Sequence, residues 1–180
     1  MIVTHLHFDH VGGLSKTIEK NKSEIETTYP NAYYHIQKAN LKSAKAPNVQ
    51  EAASYLEDNL EIFTKNNCQL YNGNSEIFPG MKTVVSNGHT TGLQYLLIEY
   101  NGQTIAFPSD LVPTSKHINT VYHMGFDINA ELLLKEKQEF LETAAKNNYL
   151  IVFQHDPLVP LARISKTSEH KFNLTPVDKI

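Results

Sequence analysis

The chain has 180 residues, 41% of them hydrophobic, and a formal net charge of -3. This length suits one domain with a core of its own, and we predict a single domain over residues 1–180. The charges are balanced and form no long run of one sign, which argues against nucleic acid or an anionic membrane as a partner. Apolar runs of about five residues are far shorter than a membrane helix. The single cysteine, Cys68, excludes an internal disulfide and a zinc site built from several thiolates.

The first third of the chain is predicted to combine strands with helices. Residues 2–4 are typical of the end of a buried strand, and the polar, charged residues 14–26 predict a helix. The aromatic residues within 31–37 predict another strand. Short helices broken at Ala46-Pro47 are expected over residues 38–63, where they would form a helical insert.

The middle third is predicted to consist mainly of strands. A hairpin-like series is expected at residues 68–71, 81–85, 94–100 and 103–107. Asn101-Gly102, between the last two, is a strong signal for a tight turn. Strands therefore dominate this part of the chain.

The last third contains the clearest helix. Apolar residues recur at helical spacing over residues 130–146, and Asn129 is placed to cap the start. Lys135 to Lys137 and the other charges of this helix are predicted to form its solvated face. Short strands are expected at residues 149–153, 162–164 and 171–174, the last two as a closing hairpin.

The heptapeptide THLHFDH, residues 4–10, concentrates metal-binding side chains near the start of the chain. Its candidates are His5, His7, Asp9 and His10. Imidazole nitrogen and carboxylate oxygen suit zinc and related divalent ions, and histidines at i and i+2 point the same way in extended backbone. One catalytic zinc takes about three protein ligands, so four candidates within six residues predict two metals and further ligands downstream.

Three further candidates, His89, Asp110 and His155, each follow a predicted strand. His5 obeys the same rule after residues 2–4. Because α/β proteins build sites at the carboxyl ends of strands, these side chains are expected to meet. Taken singly, each has an ordinary explanation, such as a turn for Asp110 or a satisfied core position for a histidine. The pattern of all seven favours metal binding.

Some neighbours of these candidates have two interpretations. Asp156, Thr90 and Thr91 are predicted either to orient the adjacent histidines by hydrogen bonds or to satisfy tight turns. The remaining histidines belong to no such motif and are expected to have surface or packing roles: His35, His117, His123 and His170.

Four segments together resemble the metallo-β-lactamase-fold hydrolase superfamily: THLHFDH, then GHTTG at residues 88–92, PSD at 108–110 and QHDP at 154–157. The resemblance implies an α/β fold, the metal-binding αββα sandwich. Members of the family have several strands before the first motif. This chain is therefore expected to lack the N-terminal strands of the sandwich, with Met1 as an internal start.

The resemblance also implies a dinuclear metal site and a reaction. It assigns His5, His7 and His89 to one ion, Asp9, His10 and His155 to the other, and Asp110 to both as a bridge. Two divalent ions are expected, with zinc preferred over manganese, iron or cobalt. A hydroxide held by both metals would attack a lactone, an ester or a related small molecule. Asp9 and Asp110 are the predicted catalytic residues, and Asp9 or one metal would hold or protonate the leaving group.

The substrate is less sharply defined than the reaction. Residues 108–114 and 123–127 are most similar to the branch that includes lactonases and organophosphate hydrolases. Some acyl-homoserine lactonases place a substrate-positioning tyrosine three residues after the bridging aspartate. Pro113 stands there in this chain, which argues against that specific substrate.

Two alternatives stay open at this point. One is a thioester or phosphotriester hydrolase of the same superfamily, and the other is a truncated or degenerate, non-catalytic homologue that needs a partner chain. The expected partner is a small-molecule substrate, with no nucleic acid and no membrane, and a homo-oligomer is left open. The cytoplasm is the expected location.

Overall fold

The structure is a computed structural model that describes residues 1–18, 21–64 and 67–179. These residues group into two compact units. The first unit comprises residues 1–73 with Thr91–Leu93, and the second comprises residues 74–90 and the chain from Gln94 onward. A single domain over residues 1–180 stays a prediction.

The first unit contains two small sheets and short helices. Its elements are α1 (Phe8–Val11), β1 (Ser15–Ile18), β2 (Asn21–Thr27), β3 (Tyr34–Gln37), α2 (Lys38–Lys45), α3 (Glu57–Leu60) and β4 (Cys68–Tyr71). β1 pairs antiparallel with β2, and β3 pairs in parallel with β4. Because parallel strands need a crossover connection, the helical insert between β3 and β4 supplies that link. The strand predicted within 31–37 and the short helices predicted over 38–63 are confirmed.

The helix predicted over residues 14–26 is wrong, because β1 and β2 form an antiparallel pair there. The register places Ser15 opposite Thr27 and Lys16 opposite Glu26. The Lys16 ammonium lies 3.6 Å from the Glu26 carboxylate, so charges that suggested a helix face form a cross-strand pair. β-Branched residues such as Thr27 also favour extended backbone over helix.

The strand predicted over residues 2–4 is reduced to a single parallel β-bridge between Ile2 and His35. The Val3 amide donates to the His35 carbonyl at 3.1 Å, which anchors the chain directly before His5. The core of this unit consists of buried apolar side chains, namely Val3, Leu6, Val11, Tyr34, Ile36, Ala44, Tyr55, Ile62 and Phe63.

The second unit is built on a seven-stranded sheet and one long helix. Its elements are β5 (Ser75–Phe78), β6 (Met81–Ser86), β7 (Leu93–Tyr100), β8 (Gln103–Phe107), α4 (Ala130–Lys146), β9 (Leu150–Val152), β10 (Leu161–Ser168) and β11 (Lys171–Pro176). The strand order is β11-β10-β9-β8-β7-β6-β5. The predicted strands correspond to β6 to β11, and β5 is an additional strand. Residues 68–71 do form a strand, but β4 pairs with β3, so the predicted hairpin-like series is wrong at its first member.

Two pairings in this sheet position candidate ligands. β7 and β8 are antiparallel around the predicted turn, where Asn101 and Gly102 adopt left-handed φ values of 49° and 74°. β8 pairs in parallel with β9. The carboxyl ends of parallel neighbours lie at the same edge of a sheet, so Asp110 after β8 and His155 after β9 leave it at one edge.

α4 confirms the predicted helix and its cap, because Asn129 Oδ1 accepts a hydrogen bond from the Leu132 amide at 3.0 Å. The predicted solvated face is wrong at Lys137, which is 0% exposed. Lys137 lies four residues after Leu133 and three before Phe140, so it falls on the buried stripe of the helix. The stripe packs into a core with strand and loop residues, namely Ala106, Leu111, Val112, Leu133, Phe140, Leu141, Ala144, Ile151, Phe153, Ala162 and Ile164.

In the part of the chain that the structure describes, none of the helices has the length and apolar character that crossing a bilayer requires.

Candidate metal centre

The N-terminal ligand set, His5, His7, Asp9 and His10, comes together within the first unit. His7 has extended backbone, with φ -62° and ψ 148°, and the helical turn of α1 follows it at once. The ring centroids of His5 and His7 are 4.6 Å apart, and those of His5 and His10 are 3.9 Å apart. The Asp9 carboxylate lies 3.3 Å from His10 Nε2. A local change of backbone from extended to helical therefore gathers all four side chains.

Burial divides the N-terminal ligand set. His5 and His7 are buried, His10 is partly buried and Asp9 is exposed. Asp9 is therefore the member of the set whose side chain is most open to water.

The helical insert contacts His7 through a buried carboxylate. Glu51 Oε1 lies 3.6 Å from His7 Nε2 and accepts a hydrogen bond from the Tyr55 hydroxyl at 3.2 Å. The Tyr55 ring also packs edge-on against the His7 ring, with centroids 5.0 Å apart. A carboxylate beside a ring nitrogen fixes the orientation of a ligating histidine. Sequence reasoning missed Glu51, because no motif surrounds it.

Asn40 ties the backbone between His5 and His7 to another segment of the first unit. Its Oδ1 accepts a hydrogen bond from the Leu6 amide at 2.9 Å, and its Nδ2 donates to the Thr91 carbonyl at 2.8 Å. Gly92, at φ 74°, packs so closely that a Cβ there would lie 2.7 Å from the Asn40 nitrogen. This contact explains the glycine that ends the GHTTG segment.

The C-terminal ligand set, His89, Asp110 and His155, comes together within the second unit. Asp110 Oδ2 lies 3.4 Å from His89 Nε2, and Asp110 Oδ1 lies 3.3 Å from His155 Nε2. Ser109, just before it, has an uncommon left-handed φ of 51°. Each oxygen of Asp110 thus faces a different imidazole, as in a carboxylate that bridges two ions.

Asp127 orients the His89 ring. Its Oδ1 lies 2.8 Å from His89 Nδ1, and its Oδ2 accepts a hydrogen bond from the Met124 amide at 2.6 Å. A carboxylate oxygen beside Nδ1 fixes the orientation of the ring and leaves Nε2 facing Asp110. Sequence reasoning included Asp127 only as part of a segment similar to lactonases, and missed this contact.

The turn before His89 is held by α4. The Glu136 carboxylate accepts hydrogen bonds from the Ser86 hydroxyl at 2.6 Å and from the Asn87 and Gly88 amides at 3.0 Å. A Cβ on Gly88 would lie 2.3 Å from the Leu133 Cα. The turn therefore rests on the helix backbone, and a side chain at residue 88 would separate them.

Asp156, next to His155, satisfies a turn. Its carboxylate accepts hydrogen bonds from the amides of Ser115 at 2.8 Å, Leu158 at 2.9 Å and Val159 at 2.8 Å. Burial raises the pKa of the Asp156 carboxyl, but these hydrogen bonds outweigh it and hold the pKa well below its usual range. These hydrogen bonds are those of a turn residue, which is one of the two predicted roles of Asp156.

Two of the remaining histidines have contacts outside both ligand sets. His35 Nδ1 lies 2.9 Å from the Tyr71 hydroxyl, and His117 Nδ1 lies 2.8 Å from the Thr114 hydroxyl. Burial lowers the pKa of both rings. These contacts are typical of packing roles.

Ligand-atom spacing within each unit fits a divalent ion. Two atoms bound at about 2.05 Å to a tetrahedral zinc are about 3.3 Å apart. The ring nitrogens and carboxylate oxygens of His10 with Asp9, and of His89 and His155 with Asp110, are separated by 3.3 to 3.4 Å. The hydrogen bond of His89 with Asp127 is clearly shorter, at 2.8 Å. The five imidazoles and two carboxylates also supply the nitrogen and oxygen donors that zinc accepts without thiolates.

Curated relatives of the chain are lactonases. An N-acyl homoserine lactonase from a Bacillus species is 30% identical over 158 residues, which cover 87% of this chain and 55% of that protein. The N-acyl homoserine lactonase from Bacillus cereus is 29% identical over 160 residues, with the same coverage of each chain. The chain therefore spans 55% of the length of these relatives.

Solved structures share the fold. A probable metal-dependent hydrolase from Staphylococcus aureus aligns with a TM-score of 0.83 at 23% identity, over 99% of this chain and 62% of that one. A dizinc quorum-quenching lactonase, in complex with a product, aligns with a TM-score of 0.80 at 17% identity, over 99% of this chain and 64% of that one. The predicted α/β metallo-β-lactamase fold is confirmed.

The family model described as the metallo-beta-lactamase superfamily matches residues 1–155. This match includes both ligand sets and most of the described strands. The chain belongs to the metallo-beta-lactamase superfamily.

Proposed function

We propose that the protein is a metal-dependent hydrolase with a dinuclear centre. In this proposal His5, His7 and His89 hold one ion, Asp9, His10 and His155 hold the other, and Asp110 bridges them. The observation that carries it is the position of Asp110, whose two oxygens face two different imidazoles at 3.4 and 3.3 Å. The proposal requires the N-terminal and C-terminal ligand sets to share the two ions.

In this proposal the residues near the metal ligands either orient a ligand or move a proton. Two divalent ions, zinc in the first place, would supply Lewis acidity and lower the pKa of a bound water. Asp127 and Glu51 keep the His89 and His7 rings in their ligating orientations. Asp9, with a carboxylate open to solvent, would take up the proton that the attacking water releases and pass it to the leaving group as the bond to that group breaks.

The proposed substrates are lactones and esters. Support comes from family membership and from curated relatives that are named N-acyl homoserine lactonases. Pro113 occupies the position of the substrate-positioning tyrosine, and the Pro113 carbonyl accepts a hydrogen bond from the His155 amide at 3.0 Å. Proline has no side-chain hydroxyl, so position 113 does not supply the contact that the tyrosine makes in some acyl-homoserine lactonases. We therefore propose the wider class of lactones and esters as substrates.

The test combines metal content with a panel of hydrolysis reactions on one sample. We expect about two zinc ions per chain after reconstitution, with turnover of lactones and aryl esters above that of thioesters and phosphotriesters. Higher turnover of thioesters or phosphotriesters would assign those compounds as the substrates and would leave the proposed metal-dependent hydrolysis unchanged. Metal-free protein without turnover would favour the non-catalytic homologue that needs a partner chain.

A matched pair of histidine variants makes the test specific. His89→Ala should lose metal and turnover together, because it removes a proposed ligand. His170→Ala removes an exposed histidine outside both ligand sets and should keep both properties. Equal behaviour of the two variants would contradict the assigned ligands.

A further inference from the structure

Lys137 is a fully buried charged residue on the apolar stripe of α4. Its side chain is 0% exposed, among core residues such as Leu133 and Phe140. A lysine is almost never buried in this way unless its ammonium has specific partners, because removing the charge from water is costly. The position therefore requires a functional or structural reason.

The partners of the ammonium are backbone carbonyls of a single loop. Lys137 Nζ donates to the Asn119 carbonyl at 3.4 Å and to the Tyr122 carbonyl. We name residues 119–127 the 119–127 segment. Within it the Tyr122 amide donates to the Asn119 carbonyl at 3.0 Å, so both acceptors belong to one tight turn. The ammonium closes this turn onto α4.

The same segment ends at the carboxylate that orients His89. Asp127 is its last residue and lies 2.8 Å from His89 Nδ1. The next amide, of Ile128, donates to the His89 carbonyl at 3.2 Å, and the Phe126 ring stands 6.1 Å from the His89 ring between centroids. A displacement of the segment would therefore displace the support of His89.

We propose that Lys137 is a positioning residue for His89, acting through the 119–127 segment and Asp127. The inference rests on the proposed function only in treating His89 as a metal ligand. Replacing a buried charge by an apolar side chain of similar volume is often neutral or stabilising, so fold stability alone does not account for a lysine here. Burial lowers the pKa of Lys137 to about 8, while the nearby Asp127 carboxylate opposes that shift.

The test compares Lys137→Met with Lys135→Met, since Lys135 is an exposed lysine of the same helix. Hydrogen exchange followed by mass spectrometry would report on the amides of Tyr122, Met124, Asp127 and Ile128. We expect exchange there to be about 10-fold faster in Lys137→Met and unchanged in Lys135→Met. Unchanged exchange in Lys137→Met, or equal acceleration in the β8 and β9 amides, would overturn the proposal.

Zinc affinity provides the second readout. We expect the dissociation constant of the weaker-bound zinc to rise about 10-fold in Lys137→Met, as for other residues that orient a ligand. If the unmodified protein binds no zinc, the proposed function fails, while the exchange experiment still decides the role of Lys137. If Lys137→Met does not fold, Lys137→Gln, which keeps a donor for one of the two carbonyls, should accelerate exchange at the same amides by a smaller factor, and unchanged exchange would overturn the proposal.

Discussion

The two ligand sets are assembled in opposite ways. The N-terminal set comes from one six-residue segment, in which extended backbone turns into the short helix α1. The C-terminal set comes from the ends of three strands that are far apart along the chain, and β8 and β9 bring two of its members to one sheet edge. A local set can be recognised from sequence spacing. A set of the second kind depends on strand order and on the loops that follow each strand.

The contacts that orient the two ligand sets also differ in length. Asp127 makes a direct hydrogen bond of 2.8 Å to His89, whereas Glu51 lies 3.6 Å from His7. Glu136 further holds the turn before His89 through hydrogen bonds from three donors, Ser86, Asn87 and Gly88. We therefore expect the C-terminal set to be the more sensitive to changes in residues that do not bind metal.

The largest effect is expected for the bridging position. Asp110→Asn keeps the shape of the side chain but removes the charge that two cations share, so kcat/KM should fall about 1000-fold. Zinc content should fall from about two ions per chain toward one. Both are measured on one preparation, with Asp178→Asn as an exposed control. Full zinc content and turnover in Asp110→Asn would show that Asp110 is not a bridging ligand.

The buried charge of Lys137 should make stability depend on pH. Its pKa falls from 10.5 in the unfolded chain to about 8 in the fold, so between these values the unfolded state binds more protons. Stability should therefore rise with pH across this window, by about 1 to 2 kcal/mol relative to Lys137→Met, since solvent screens part of the shift. Below pH 8 the full penalty of burying the ammonium is present. Denaturant unfolding at pH 7.5 and 10.5 measures the difference, and parallel curves for the two proteins would exclude a lowered pKa.

The third effect concerns the orientation of His89. Asp127→Asn retains an acceptor for Nδ1 but removes the negative charge, and zinc affinity should fall by about 10-fold or more. The change is measured by competition with a chromophoric chelator. An unchanged affinity would mean that the His89 ring is held by its packing alone.

The smallest effect is expected for Glu51→Gln. The longer separation from His7 predicts a loss of zinc affinity of only about two- to threefold, below that of Asp127→Asn. Glu57→Gln, in the same insert but exposed, serves as its control. A loss as large as that of Asp127→Asn would remove the proposed difference between the two sets.

The sequence predicted those parts of the molecule that local signals determine. The cap at Asn129 fixes the start of α4, and Asn101-Gly102 fixes the turn between β7 and β8, because each needs only neighbouring residues. The seven candidate ligands could be named because histidine and aspartate follow strand ends or share one motif. Their binding of metal stays a prediction.

The errors arose where distant partners decide the structure. Residues 14–26 have a polar composition that suits a helix, but the pairing of Lys16 with Glu26 across two strands appears only in the fold. Lys137 was assigned to the surface by its charge, although its spacing from Leu133 and Phe140 places it on the buried stripe. The contacts of Glu51 and Asp127 were missed for the same reason, since each residue contacts a histidine far along the chain.

The parallel pairing of β3 with β4 has a consequence for the order of folding. About 30 residues separate the two strands, and closing a loop of that length costs entropy before the pairing can compensate it. The hairpin of β1 and β2, with adjacent strands, has no such delay. Glu51 lies within the long connection, and we therefore expect its contact with His7 to form after the pairing of β1 with β2 during refolding.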